Sequence, residues 1–175
     1  QRQMCIRDSG SAENFTVFVP GALPVETVKA KIILIKKSYA SGELISVEKP
    51  SPYRTVPPCP VYDSCGGCQI SHLTYEGQLA AKERRVKDVM VRIGKASEDV
   101  VLPILGAPHE WNYRNKMAVP VGQVTGGPVL GYYRQGTHQI VPIQECLIQE
   151  EENNRLLRFA EDFMLSLIHI SEPTR

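Results

Sequence analysis

Three cysteines within ten residues constrain this chain more than any other feature. Cys59, Cys65 and Cys68 follow the spacing C-x5-C-x2-C, and a fourth cysteine, Cys146, lies far downstream. Thiols grouped in this way bind a soft metal more often than they form disulfides in a chain without a secretion signal. Both residues between Cys65 and Cys68 are glycine. The loop therefore has access to the positive φ angles of a tight turn, and it has room for a bulky group.

These cysteines leave three interpretations open: an iron–sulfur cluster, a structural zinc site or ordinary buried thiols. Zinc sites more usually combine one C-x2-C pair with a second close pair. Three clustered ligands and one remote ligand instead suit a cubane cluster. The backbone N–H groups of Gly66 and Gly67 can point at sulfide and stabilise its negative charge. We therefore expect an iron–sulfur cluster in preference to zinc.

Both ends of the chain are predicted not to be native protein. Residues 4–9 and 165–170 can be encoded by DNA strings that are reverse complements, and both resemble the transposase adaptor of shotgun sequencing libraries. We therefore assign residues 1–9 and 165–175 to the adaptor and expect the remainder to be an internal piece of a longer reading frame. The correction removes Cys5. It also reduces the 20 basic and 19 acidic residues to 17 of each, by taking away Arg2, Arg7, Arg175, Asp8 and Glu172.

The corrected composition excludes several classes of protein. A net charge of zero gives no sign of bulk attraction to nucleic acid. No apolar run approaches the roughly 20 residues that span a bilayer, so we expect no membrane partner. Reduced cysteines and a metal cluster favour a cytoplasmic location. The length suggests one or two small domains, and nothing in the sequence indicates a protein partner.

Residues 10–50 are predicted to form short β-strands. A β-branched strand over 15–19 ends at a Pro-Gly turn, and alternating apolar residues over 28–34 predict a second strand. Ser41 and Gly42 predict the next turn. Such a meander suits a β-barrel of the oligonucleotide-binding type.

Two helices are predicted around a second β-rich region. Residues 51–73 are interpreted as a proline-rich linker followed by the cysteine loop. A helix over 74–95 is stopped at Gly94, and its apolar face is formed by Leu79, Val86, Met90 and Ile93. Residues 96–164 are predicted to contain strands over 113–121, 129–133 and 138–143, with a final helix from residue 148.

Several of these features together resemble one known family. They are the cysteine loop, the segment 69–76 that follows it, residues 113–116, and the remote Cys146. The chain resembles bacterial iron–sulfur RNA (uracil-C5-)methyltransferases, in particular the branch that acts on 23S ribosomal RNA. Residues 17–24 resemble the middle of the RNA-binding TRAM barrel of these enzymes, and the likeness covers residues 10–164.

The resemblance implies an α+β fold and a cofactor. It implies an incomplete OB-like TRAM β-barrel over 10–50, followed by a small antiparallel-sheet domain with an iron–sulfur loop and flanking helices. The Rossmann-like methyltransferase domain is absent, and the helix over 74–95 is expected to pack on it in the full-length protein. The ligands of a [4Fe-4S] cluster, which is expected to be structural and to position RNA, are Cys59, Cys65, Cys68 and Cys146.

The resemblance also implies a reaction that this chain does not complete. A cysteine thiolate adds to C6 of a flipped-out uracil, C5 takes a methyl group from S-adenosylmethionine, and a carboxylate removes the C5 proton. All four remaining cysteines are assigned to the cluster, and no glycine-rich methyl-donor loop is found. We expect an enzyme as the full-length parent and no activity from this piece alone.

Candidate RNA-binding residues are Arg114 and Lys116, with Lys29 and Lys31 of the barrel as a second set. The simpler interpretations are cross-strand salt bridges for the first pair and a solvated strand face for the second. Two alternative functions also fit: a tRNA uridine-C5 methyltransferase, because ligand spacing does not report which RNA is bound, and a non-enzymatic metal-stapled nucleic-acid-binding module. The coding sequence beyond residue 164 distinguishes enzyme from module.

Overall fold

The computed structural model describes residues 9–12, 15–124 and 127–168. The described chain forms two compact units: a first unit of residues up to 56 and 72–104, and a second unit of residues 57–71 and 105–168. Each unit contains one small sheet and one long helix, so the protein is of the mixed α+β class that the sequence predicts. No helix within the described ranges is long and apolar enough to cross a membrane.

The first unit contains a four-stranded sheet in the order β1-β2-β4-β3. Its strands are β1 (Ser9–Ala12), β2 (Phe15–Phe18), β3 (Thr27–Ile35) and β4 (Tyr39–Lys49). β2 and β4 are parallel, whereas the other two pairings are antiparallel. The predicted strands over 15–19 and 28–34 are therefore present. The closed barrel itself stays a prediction, because these four strands are paired as one sheet.

The turn predicted at Ser41 and Gly42 is wrong. β4 runs through both residues, and the chain reverses earlier, where the N–H of Lys36 donates to the carbonyl of Tyr39 at 2.8 Å. Gly42 lies next to a register irregularity between β3 and β4. A Cβ atom at Gly42 would stand 3.2 Å from the carbonyl oxygen of Lys31. This glycine therefore permits a close approach of two strands inside the sheet.

The predicted helix in the first unit is confirmed as α1 (Tyr75–Arg92). The Thr74 hydroxyl caps it by accepting the N–H of Gly77 at 3.3 Å. Gly77 is buried, and a Cβ atom there would lie 2.8 Å from Cβ of Tyr53, so the helix begins in contact with the segment before the cysteine loop. Its predicted apolar face is largely uncovered here, with Val86 51% and Ile93 77% exposed. A short 3-10 helix, Glu98–Val100, follows.

A buried carboxylate ties the first part of the predicted linker to the sheet. The side chain of Glu26 has no exposed surface, and it accepts the backbone N–H groups of Leu23 at 2.9 Å and Ser51 at 3.0 Å. The guanidinium of Arg54 donates to the same carboxylate at 2.7 Å and to the carbonyl of Gly21 at 2.7 Å. Residues 51–54 are therefore a fixed part of the first unit, although their prolines predict only a stiff linker.

The second unit contains an antiparallel sheet in the order β5-β6-β7 and a long helix. The elements are β5 (Val121–Val124), β6 (Gly127–Tyr133), β7 (Ile140–Pro142) and α2 (Glu151–Ile168). The predicted strands over 129–133 and 138–143 and the final helix are confirmed. Of the predicted Gly126-Gly127 turn, Gly126 lies outside the described residues.

The strand predicted over 113–121 is wrong. Those residues are extended, but their pairing within the described chain is limited to one isolated parallel bridge between Arg114 and Gln149. The N–H of Arg114 donates to the carbonyl of Ile148 at 2.9 Å, and the N–H of Glu150 donates to the carbonyl of Arg114 at 3.2 Å. Regular pairing begins only at Val121. The alternation in sequence reflects contact with a loop rather than with a neighbouring strand.

The core of the second unit lies between its sheet and α2. Leu130, Ile143 and Leu157 are buried together, and Tyr132 and Cys146 pack against them. The other apolar positions predicted for α2 point away from this core, and they are the exposed Leu156, Phe159 and Phe163. Of the residues assigned to the adaptor, 1–8 and 169–175 lie outside the described residues. Ser9 begins β1, and residues 165–168 end α2.

The ion pair of Glu26 generates a testable prediction about the stability of the first unit. Burial raises the pKa of Glu26, but hydrogen bonds from Arg54, Ser51 and Leu23 outweigh burial and lower this pKa from 4.5 to about 2. We expect Glu26→Gln to lower the free energy of unfolding by about 3 kcal/mol at pH 7, measured by urea denaturation. The exposed Glu48→Gln variant is the control.

The same ion pair predicts a pH dependence. Because the folded-state pKa is depressed, the contribution of Glu26 is fully present above pH 4.5 and is lost as the pH falls toward about 2. The difference between wild type and Glu26→Gln should therefore shrink over that interval. A difference that is unchanged by acid, or equal losses in both variants, would contradict this account.

Candidate metal centre

The four cysteines of the described chain all lie in the second unit. Cys59, Cys65 and Cys68 belong to the loop 57–71, and Cys146 follows β7. All four are free thiols of intermediate burial. The loop is wound by its own backbone, because the N–H of Cys65 donates to the carbonyl of Val61 at 2.8 Å. Both segments are thereby held in one compact unit.

The thiols lie within electrostatic reach of one another. Burial raises the pKa of Cys65 and Cys68, and negative charge on Cys59 and Cys146 raises both values further. Hydrogen bonds act in the opposite direction, since Gly67 N–H donates to Cys65 Sγ at 3.3 Å and Ser71 hydrogen-bonds to Cys68. Four thiolates at this place repel one another, and a cationic centre would remove the repulsion while releasing their protons.

The thiols do not converge on a point for a single ion. Over the ranges 9–12, 15–124 and 127–168, no three His, Cys, Asp or Glu side chains are grouped in a way that could hold one metal ion. The arrangement is thus one of neighbouring sulfurs that surround a space and do not share a vertex. Their roles as ligands stay predictions.

The two glycines of the loop have a different purpose from the predicted one. Neither Gly66 nor Gly67 is among the described residues with positive φ, so the predicted need for a left-handed turn is wrong. A Cβ atom at Gly66 would stand 2.8 Å from the carbonyl oxygen of Tyr133, and one at Gly67 would stand 3.3 Å from Sγ of Cys65. The glycines therefore permit close approach to β6 and keep the space beside the sulfur open.

Only one of the two glycine N–H groups points at a sulfur, in contrast to the expectation for both. The Gly67 N–H donates to Cys65 Sγ, whereas the Gly66 N–H donates to the carbonyl of Tyr133 at 2.9 Å. An isolated bridge between Cys65 and Arg134 continues this pairing. The cysteine loop is thus attached along the end of β6, and this attachment fixes where Cys65 and Cys68 lie.

Asn154 of α2 holds Cys146 in place, and sequence reasoning missed it. The side chain of Asn154 is completely buried. Its Oδ1 accepts the N–H of Cys146 at 2.8 Å, and its Nδ2 donates to the carbonyl of Cys146 at 3.2 Å. The available signal was a polar residue on the same helix face as Leu157, which is buried three positions later.

The candidate RNA-binding residues lie in two places. Arg114 and Lys116 are exposed on the extended segment of the second unit, where Nε of Arg114 donates to the carbonyl of Lys116 at 3.3 Å. Lys29 and Lys31 are exposed on β3 of the first unit. Within the part of the chain that the structure describes, none of the four forms an ion pair. Their contact with RNA stays a prediction.

Comparison with known proteins gives relatives of one kind. No family model matches the chain. It is 52% identical over 146 residues to a Bacillus cereus protein named uncharacterized RNA methyltransferase, covering 83% of the chain and 32% of that protein. A Halalkalibacterium halodurans protein with the same description is 41% identical over 155 residues, covering 89% of the chain and 34% of the relative. The chain therefore spans about a third of the length of the curated relatives that it matches.

A solved structure shares the fold. The Pyrococcus abyssi tRNA (uracil-54, C5)-methyltransferase, determined in complex with S-adenosyl-L-homocysteine, is similar with a TM-score of 0.61 and 18% sequence identity. The similarity covers 87% of this chain and 34% of that one. Similarity to RNA methyltransferases, which the sequence predicts, is supported by the relatives and by this fold.

The position of Asn154 predicts a specific loss of stability in the second unit. We expect Asn154→Ala to lower the free energy of unfolding of the reduced, metal-free protein by about 2 kcal/mol, because the backbone N–H of Cys146 loses its acceptor. Glu152→Ala is the matched control, since its carboxylate is exposed and makes a weak 3.8 Å ion pair with Arg155. Thermal unfolding followed by circular dichroism measures both. Equal melting temperatures for the two variants would contradict the role given to Asn154.

Proposed function

We propose that this chain is the RNA-recognition and iron–sulfur portion of an S-adenosylmethionine-dependent 23S rRNA uridine-C5 methyltransferase. The observation that carries the proposal is the gathering of four free thiols from two separate segments in a chain similar to RNA methyltransferases. The fold shared with a uracil methyltransferase supports the same class. The choice of 23S rRNA rests on the resemblance of the cysteine loop and its flanking residues.

The metal centre in this proposal is a [4Fe-4S] cluster. The chemistry of the donor set fits, because four thiols are the usual ligands of such a cluster. Their arrangement also fits, since a polynuclear cluster keeps its ligands apart, whereas a single zinc ion draws them to one point. A bound cluster would link loop 57–71 covalently to the segment after β7. Gly67 would donate to a ligand sulfur, and Asn154 would hold the backbone of Cys146.

Catalysis is assigned to the part of the full-length protein that this chain does not include. The four described cysteines are committed to the metal centre, so the attacking thiolate and the S-adenosylmethionine site are proposed to lie in the remaining length of the relatives. This chain is accordingly proposed to be inactive alone. The exposed apolar face of α1, with Val86, Met90 and Ile93, is proposed to pack on that catalytic domain.

RNA contact is assigned to Arg114 and Lys116 first, and to Lys29 and Lys31 second. The four cations are exposed and free of carboxylate partners in the described chain, so their charge is available to phosphates. A tRNA target is the second candidate, and the fold shared with a tRNA methyltransferase favours it. A non-enzymatic binding module is the third, and an open reading frame that stopped after residue 164 would favour it.

The metal centre predicts a requirement for the remote cysteine. After anaerobic reconstitution with iron and sulfide, the wild-type chain is expected to bind roughly four irons and to show a broad charge-transfer absorption band. Cys146→Ser should lose the band and most of the iron, because the cluster lacks its fourth thiolate. Cys5→Ser, at a cysteine outside the described residues, is the control and should load normally. A colourless protein with one zinc would overturn the cluster assignment.

The RNA assignment predicts a change in salt dependence. Arg114→Ala combined with Lys116→Ala should weaken binding to a 23S rRNA transcript and reduce the slope of log K against log salt by about 2, one for each lost phosphate contact. Filter binding at several salt concentrations measures this slope. Arg155→Ala is the control, because Arg155 lies near Glu151 and Glu152 on α2. An unchanged slope contradicts the assignment, and tighter binding of the wild type to tRNA favours the second candidate.

A further inference from the structure

Tyr132 of β6 lies between Cys146 and a buried amide. Its ring packs against the core of the second unit, and a Cβ atom added at Gly67 would touch it at 3.9 Å. Its hydroxyl is hydrogen-bonded to the side chain of Gln149 on one side and to Cys146 on the other. The phenol therefore connects one of the proposed ligands to the interior of the unit.

The partners of Gln149 determine the direction of these hydrogen bonds. Gln149 is 1% exposed, and its Oε1 accepts from Nδ2 of Asn153 at 3.0 Å. Its Nε2 donates to the carbonyl of Lys116 at 3.3 Å, which leaves the second N–H of that nitrogen for the phenol oxygen. The Tyr132 oxygen is then an acceptor toward Gln149. Its single proton is directed at Cys146 Sγ.

The acidity of the phenol agrees with this direction. Burial and the negative charge of Cys146 raise the pKa of Tyr132 to about 12, and the hydrogen bond with Cys146 adds to the increase. A phenol that donates to a thiolate keeps its proton more firmly, as these contributions indicate. The proton is thus present at neutral pH whether or not a metal centre is bound.

We propose that Tyr132 is a positioning residue of the metal centre, whose O–H donates to the Cys146 thiolate, orients it and tunes the bound cluster. This inference rests on the proposed function. A hydrogen bond to a ligand sulfur withdraws negative charge from it, so it stabilises the more negative, reduced form of an iron–sulfur cluster and raises the reduction potential. It also resists displacement of the thiolate.

Three of the four thiols receive one donor each in this arrangement. Gly67 N–H serves Cys65, Ser71 serves Cys68, and Tyr132 serves Cys146. The donors differ in what a mutation can test. Removing the Tyr132 hydroxyl leaves the ring and its packing in place, whereas the Gly67 donor is backbone.

A simpler role for Tyr132 is to satisfy the buried amide of Gln149. In that case, loss of the hydroxyl would reduce the stability of the protein without changing the potential of the cluster. The two roles are separated by measuring the potential directly, because a potential compares two oxidation states of the same folded protein.

The test compares Tyr132→Phe with Tyr133→Phe in the full 175-residue chain, reconstituted anaerobically with iron and sulfide. Tyr133 is the matched control, since its side chain is 44% exposed and its ring contacts His138. Dithionite titration followed by visible absorption gives the potential, and transfer of iron to a chelator gives its rate of loss. We expect Tyr132→Phe to show a lower potential and iron loss on the order of 10-fold faster, and Tyr133→Phe to match the wild type.

A second variant reverses the sign of the effect. Tyr132→3-fluorotyrosine keeps the hydroxyl and makes it more acidic, so it should donate more strongly and raise the potential above that of the wild type. Equal potentials in the wild type, Tyr132→Phe and the fluorinated protein overturn the inference and leave the metal centre intact. Failure of the wild type to take up iron and sulfide overturns the proposed function and this inference with it.

Discussion

The mutual repulsion of four thiols is the constraint on which the second unit depends. Cys59, Cys65 and Cys68 come from one loop and Cys146 from another segment, yet they lie near enough to raise one another's pKa values. Protein contacts enforce this proximity: Gly66 pairs with the end of β6, and Asn154 holds Cys146 by both backbone groups. The metal-free unit therefore has its donors already in place, and binding a cationic centre relieves an electrostatic cost.

The two units rely on different polar interactions. In the first unit, the carboxylate of Glu26 gathers the end of the sheet and residues 51–54 around one buried charge paired with Arg54. The second unit buries amides, Gln149 and Asn154, and these support the segment that carries Cys146. A buried amide fixes geometry without adding charge next to the thiols. The second unit can accordingly accommodate a negatively charged cluster without a competing carboxylate among these supports.

Local signals made much of this arrangement predictable from the sequence. The cysteine spacing identified the candidate site, and the Thr74 cap and Gly94 bounded α1. Glycine misled the interpretation twice, at Gly42 and in the cysteine loop, because it serves close backbone approach as well as turns. The roles of Gln149 and Asn154 could not be read from periodicity, since polar residues at a helix start usually face solvent. Their function depends on contacts with residues distant in sequence.

The central claim is that four thiols from two segments close one metal centre. Its most direct test is an alkylation footprint of the chain after anaerobic reconstitution with iron and sulfide, read by peptide mass spectrometry. The account predicts that Cys59, Cys65, Cys68 and Cys146 are protected together and become reactive together when a chelator removes the iron, while Cys5 is labelled throughout. Protection of the three loop cysteines with Cys146 freely labelled would contradict it.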